Sequence, residues 1–125
     1  MSDLYVETDF LLALIKDDDW LGERAETIYE QRRDELWTSP HTLVELMLVA
    51  YRHDRNVERT VANASALVEV RGDTDPVLAA ASYVTDEGMT PFDALHLVHA
   101  DGDVIVSSDS TYDEHTDRIP LAEEP

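Results

Sequence analysis

Cysteine is absent from this chain of 125 residues, which excludes a disulfide framework, a thiolate metal site and a cysteine nucleophile and fits an intracellular setting. Lysine is nearly absent too: Lys16 stands alone beside eight arginines. Long apolar runs are missing. The longest, Phe10–Ile15 and Leu46–Tyr51, span six residues each, against the roughly 20 that a membrane helix needs. The stretch Met1–Glu7 has neither a basic n-region nor an apolar h-region, so no signal peptide and a cytoplasmic location are expected. Four Gly and five Pro are scattered as punctuation, without linker, repeat or low-complexity tract. A single domain over 1–125 is the expectation.

Positive charge is scarce and negative charge abundant: 28 Asp and Glu face 9 Lys and Arg, for a net charge of −19. Taken alone, that argues against a nucleic-acid binder, which usually carries a basic footprint, and against an anionic membrane surface. Acid spread along the whole chain with lysine almost gone resembles the surfaces of proteins from salt-saturated, haloarchaeal-type cytoplasm. There the Debye length falls below about 3 Å and self-repulsion is screened. A halophilic surface is therefore expected, the alternative being an acidic protein that docks a basic partner. The 43% hydrophobic content suffices for a core.

Short apolar runs alternate with helical patterns. Leu4–Val6 reads as a strand opening onto Asp9 and an apolar helix over Phe10–Lys16, and a second helix runs from about Asp19 to Arg33. Leu36–Thr38 reads as a strand. Ser39-Pro40 supplies a cap and a first-turn proline for a helix buried through Leu43, Leu46, Met47, Ala50 and Tyr51. A helix from Asn56 to about Val68 leads to a strand over Val68–Arg71. Asp75-Pro76 launches a helix over Val77–Thr85 that Gly88 stops, and Thr90-Pro91 launches another to about Ala100. Val104–Val106 suits a strand buried on both faces, and Ile119–Leu121 an edge strand that tolerates Pro120. The alternation implies an α/β fold with a mainly parallel sheet.

Four acids stand where such a sheet would expose them. Asp9 and Asp109 follow strands, Asp93 lies in the first turn of the Thr90 helix, and Glu45 lies in the Ser39 helix. Ligands of open α/β sheets bind at the carboxyl ends of strands, so these carboxylates are placed to converge. Clustered carboxylates call for a cation, and hard Mg²⁺ or Mn²⁺ take oxygen ligands and assist phosphodiester hydrolysis. Plainer readings stand beside this one. Thr90-x-x-Asp93 and Ser110-x-x-Asp113 both fit a capping box. Glu45 is the least ambiguous, because it interrupts the apolar stretch Leu43–Tyr51.

The pattern resembles the PIN domain, the small metal-dependent nuclease fold that includes VapC-like toxins. The family's strand-Asp-helix opening is matched by Tyr-Val-Glu-Thr-Asp9-Phe-Leu-Leu-Ala-Leu, and its second acid by Thr-Ser-Pro-His-Thr-Leu-Val-Glu45-Leu. Its Asp-Ala-Leu helix is matched by Met-Thr-Pro-Phe-Asp93-Ala-Leu-His-Leu, and its Thr-x-Asp after a strand by Val-Ile-Val-Ser107-Ser-Asp109. Phe10 stands where Asn or Thr is common, and Ser107 where Thr is. The resemblance implies a three-layer α/β/α sandwich and a Mg²⁺- or Mn²⁺-dependent endoribonuclease. Asp9, Glu45, Asp93 and Asp109 would be both metal ligands and catalytic residues, with Ser107 and Asp113 supporting. It further implies the toxin of a type II toxin–antitoxin pair, a small antitoxin partner, an RNA substrate and a homodimer, with no membrane role.

Two other classes compete. A Mg²⁺-binding phospho-receiver switch has similar acids but needs a lysine after a late strand, and Lys16 lies in the first helix. A PIN fold without catalysis would serve as a scaffold in RNA processing. His96 and His99, at i+3 and i+6 from Asp93, spread over about 120° of the helix with it and read as structural or solvent-facing. Arg52, Arg55 and Arg59 form a stripe that either grips phosphate or pairs with Asp54 and Glu58. Trp20 and Trp37 read as core or interface packing rather than base stacking.

Overall fold

The computed structural model describes residues 3–121, so Met1 and Ser2 of the opening stretch lie outside it. The chain forms an α/β sandwich in which every strand pairing is parallel. Strand β1 (Leu4–Tyr5) is followed by α1 (Thr8–Ile15) and α2 (Gly22–Arg32). A 3-10 turn over Arg33–Glu35 enters β2 (Leu36–Thr38), then α3 (Pro40–Arg52), α4 (Val57–Leu67) and β3 (Glu69–Val70). Next come α5 (Asp75–Glu87), α6 (Pro91–Ala100), β4 (Ile105–Val106), a 3-10 turn over Ser110–Glu114 and β5 (Arg118–Ile119).

The sheet is in two pieces. One has the order β1-β2-β3, with Leu4 opposite Leu36, Tyr5 opposite Trp37 and Trp37 opposite Glu69; the other is the pair β4-β5. Leu36 and Thr38 point into the core from β2, and the buried Thr38 hydroxyl donates to the Val6 carbonyl at 2.8 Å. That bond satisfies a carbonyl just past the end of β1, where the short ladder stops.

Helix α3 anchors the core because its apolar residues recur at three and four: Leu43, Leu46, Met47 and Ala50 are fully buried. They meet Leu11 of α1, Val61 and Ala64 of α4, and Ala80 and Ala81 of α5 in one cluster. Each such leucine contributes about 1.5–3 kcal/mol by burial. Among the described residues, no helix is long and apolar enough to cross a membrane.

Four expectations need correction. Strand β4 is not buried on both faces: Ile105 packs against the core, but Val106, and Val104 just before the strand, are 58% and 51% exposed, because among the described residues nothing covers that face. Trp20 is 88% exposed on the loop between α1 and α2, which removes the core half of the core-or-interface expectation. Helix α5 starts at Asp75 with Thr74 at the cap position, one residue ahead of the cap expected at Asp75. Asp109, not Ser110, caps the 3-10 turn that holds Asp113.

Candidate active site

Asp93 sits at the third position of α6, placed there by Pro91 at the first. The capping box with Thr90 does not form, since Thr90 makes no side-chain cap hydrogen bond. The Asp93 carboxylate instead accepts from the Tyr112 hydroxyl at 3.2 Å. Tyr112 is buried, anchored in the core from the 3-10 turn after β4. Burial first, then the negative charges of Asp93 and Asp109, pushes its phenol up to about 12.

Asp109 adjoins this pair from the end of β4. Its carboxylate accepts from the Thr111 N–H at 2.9 Å, and its own N–H donates to Ser107 Oγ at 3.0 Å. The Thr111 hydroxyl and N–H hold its carboxyl below the usual range, with smaller help from Asp93 and Arg118. Ser107 thus braces the Asp109 backbone rather than a carboxylate. Asp113 faces Arg118, which grips both carboxylate oxygens at 2.8 and 3.0 Å and also donates to the Ser107 carbonyl at 2.9 Å. The Arg118 side chain is only 13% exposed.

Glu45 and Asp9 form the other half. The Thr8 hydroxyl donates to Glu45 Oε1 at 3.1 Å, and His41 Nε2 lies 3.6 Å from the same oxygen, one helical turn back. Thr8 precedes Asp9 in the first turn of α1, so Glu45 of α3 is tethered beside the Asp9 backbone. Asp9 itself is exposed and, with Arg24, lines a cavity of about 170 Å³ between α1 and α2. Nearby, the Tyr5 hydroxyl meets Ser39 Oγ at 2.8 Å and Thr42 Oγ1 at 3.1 Å at the start of α3. Those bonds, Ser39's first, hold its phenol below the usual range.

The four acids therefore fall into two groups, Asp93 with Asp109 and Glu45 with the turn that carries Asp9. Among the described residues, no set of three or more His, Asp or Glu side chains is arranged to hold a metal ion. The donors are all oxygen, and Mg²⁺ is commonly held by one or two carboxylates with water and substrate phosphate completing its shell. The Asp93–Asp109 pair fits that requirement.

No pattern in the sequence singles out Tyr112, Thr8 or Arg118, whose roles depend on contacts 5 to 37 residues away. His96 and His99 are exposed, and both line a cleft with Ser107 and Tyr112. Arg52, Arg55 and Arg59 are exposed and form no ion pair with Asp54 or Glu58. Trp37 is half-buried, edge-on to Tyr5 at 4.9 Å and under the Arg71 guanidinium at 4.4 Å.

No curated protein and no solved structure matches the chain. The profile of the PIN domain, a family generally of metal-dependent nucleases, matches residues 4–118, from β1 through the first residue of β5. All four acids and their tethers lie inside that span, and on the strength of the match the chain belongs to the PIN domain family.

Proposed function

We propose that this protein is a metal-dependent endoribonuclease that hydrolyses RNA phosphodiester bonds. The observation that carries the reading is the grouping of Asp93, Asp109 and Tyr112 where α6 begins and β4 ends. When bound, Mg²⁺ or Mn²⁺ would polarise a phosphoryl oxygen and neutralise charge developing in the displacement. Asp93 and Asp109 would hold the ion, with Glu45 and Asp9 completing the acidic rim. Tyr112 orients Asp93 by its hydrogen bond, Thr111 and Arg118 keep Asp109 ionised, and Thr8 fixes Glu45.

The finer reading is a cytoplasmic, salt-adapted toxin of a type II pair. Its RNA cleavage is silenced by a small antitoxin, and the whole of 1–125 acts as one domain. A homodimer is supported by the apolar side chains of Val104, Ile119 and Leu121 left exposed on and beside β4-β5. The receiver alternative lacks its lysine, since Lys16 is the C-cap of α1. A non-catalytic scaffold is the second reading, favoured by the separation of the acids into two groups.

The deciding experiment is cleavage of an RNA panel in molar KCl with Mn²⁺ or with chelator. Cleavage is expected only with metal. Asp93→Asn should lower it by more than about 100-fold, beyond what loss of a merely supporting residue costs; Asp9→Asn should do the same with the fold intact. Cleavage undiminished in both variants sinks the assignment, and absence of cleavage in the unaltered chain favours the scaffold. Co-purification with the product of a short adjoining reading frame, with loss of cleavage, tests the toxin role.

A further inference from the structure

We propose that the cleft between α6 and β4 is a base-binding subsite for the RNA nucleotide beside the scissile phosphate, an inference that rests on the nuclease reading above. The cleft holds about 420 Å³, within the roughly 300–1,000 Å³ of ordinary ligand sites. His96 and His99, at i and i+3 on α6, form one wall; Ile105 and Val106 of β4 form the other. Its end is made by Ser107 and Tyr112. Those two residues are the ones that brace the Asp109 backbone and hold the Asp93 carboxylate, so the cleft ends against the residues that position the acid group.

The chemistry of the lining selects the ligand. Among the described residues, no carboxylate, Lys or Arg lines this cleft. Nothing in that lining grips a phosphate by a permanent charge, and no carboxylate in it repels an electron-rich ring. What remains is two imidazoles, two branched aliphatic walls and two hydroxyls. That set suits a flat, uncharged heteroaromatic group: rings stack on a base, and hydroxyls meet its edge. Such contacts also withstand salt, whereas ionic contacts to phosphate weaken steeply as salt rises. The subsite therefore supplies what an acidic surface cannot, a hold on RNA that does not depend on cations.

The test uses the full chain in molar KCl. Binding of a labelled short oligoribonucleotide is measured by anisotropy with chelator present, and cleavage sites are mapped separately with Mn²⁺. The pair His96→Ala with His99→Ala should weaken binding about tenfold or more, in line with loss of base stacking, and should blur nucleotide preference at the position beside the cut. His96→Phe with His99→Phe keeps the flat rings and should stay within about threefold of the unaltered chain. Asp93→Asn should bind but not cleave. Equal affinity in the alanine pair, or no RNA binding by the unaltered chain, overturns the subsite. If the alanine pair instead changes sedimentation of the free protein with affinity intact, the cleft is a contact between copies and the subsite is overturned. Binding lost in the alanine pair without any metal-dependent cleavage by the unaltered chain upholds base binding in the cleft but removes the nuclease reading, and with it the placement beside a scissile phosphate.

Discussion

The Tyr112 phenol joins the core to the acid group, and its titration reports on that junction. Its protonated form is favoured in the folded state, with a value of about 12 against 10.0 when unperturbed. The resulting stability is fully present below pH 10 and is lost as pH rises from there toward 12. Tyrosinate absorbance should show one phenol ionising near 12 and another, Tyr5, below the ordinary value. Tyr112→Phe should remove the late step and flatten the stability loss in that window; a late step that persists in the variant contradicts the assignment. This residue was not legible in the sequence, where Ser-Thr-Tyr-Asp offers no periodicity and the partner Asp93 lies 19 positions away. Asp93 itself was legible as a position but not as a choice, since the capping box and the functional role predict the same residue. The missing cap bond to Thr90 removes the capping box, and the carboxylate instead accepts from Tyr112.

Among the elements, helices α3 to α6 followed from punctuation: Asn56 before α4, Gly88 after α5, and prolines in the first turns of α3, α5 and α6. The Asn56 side chain accepts from the Arg59 N–H at 2.9 Å, so Asn56→Ala should lower stability by about 1 kcal/mol in thermal unfolding. A larger effect is expected at Gly72, just past β3. Its φ of +130° is poorly tolerated by other residues, and an added Cβ would lie 2.8 Å from the Pro40 ring at the start of α3. Gly72→Ala should cost more than about 1 kcal/mol, read as a lower denaturation midpoint; an unchanged midpoint would mean that β3 and α3 part readily. The β4 strand marks where pattern reading stops. Three branched apolar residues fit a strand covered on both faces, yet burial depends on what packs over each face, and among the described residues only the Ile105 side is covered. Asp75 shows the same limit at smaller scale, because cap and first-turn positions differ by one residue and proline is accepted at either of the next two.

At the scale of the whole molecule, the charge of −19 is met by few ion pairs: among the described residues, Arg32, Arg71 and Arg118 pair with carboxylates, and the pairs of Arg32 and Arg71 are at the surface. Self-repulsion is therefore left largely to the solvent. The melting temperature should rise as KCl goes from about 0.1 M to 1 M, where the Debye length shrinks from roughly 10 to 3 Å; a flat or falling trend would place the acids in specific partnerships instead. The division of the sheet has its own outcome. Asp93 belongs to the helical body, while Asp109 and Tyr112 follow β4, whose ladder among the described residues joins β5 and no other strand. A cooperative unit of so few backbone bonds opens at lower free energy than the core it leans on. Amide protons of Ile105 and Ser107, bonded to the Asp117 and Ile119 carbonyls, should then exchange with solvent deuterium sooner than that of Val6, bonded to Trp37. Each such opening would draw Asp109 away from Asp93 and take the acid pair apart while the core stays folded, so the fraction of molecules competent at any instant would be set by this seam rather than by global stability.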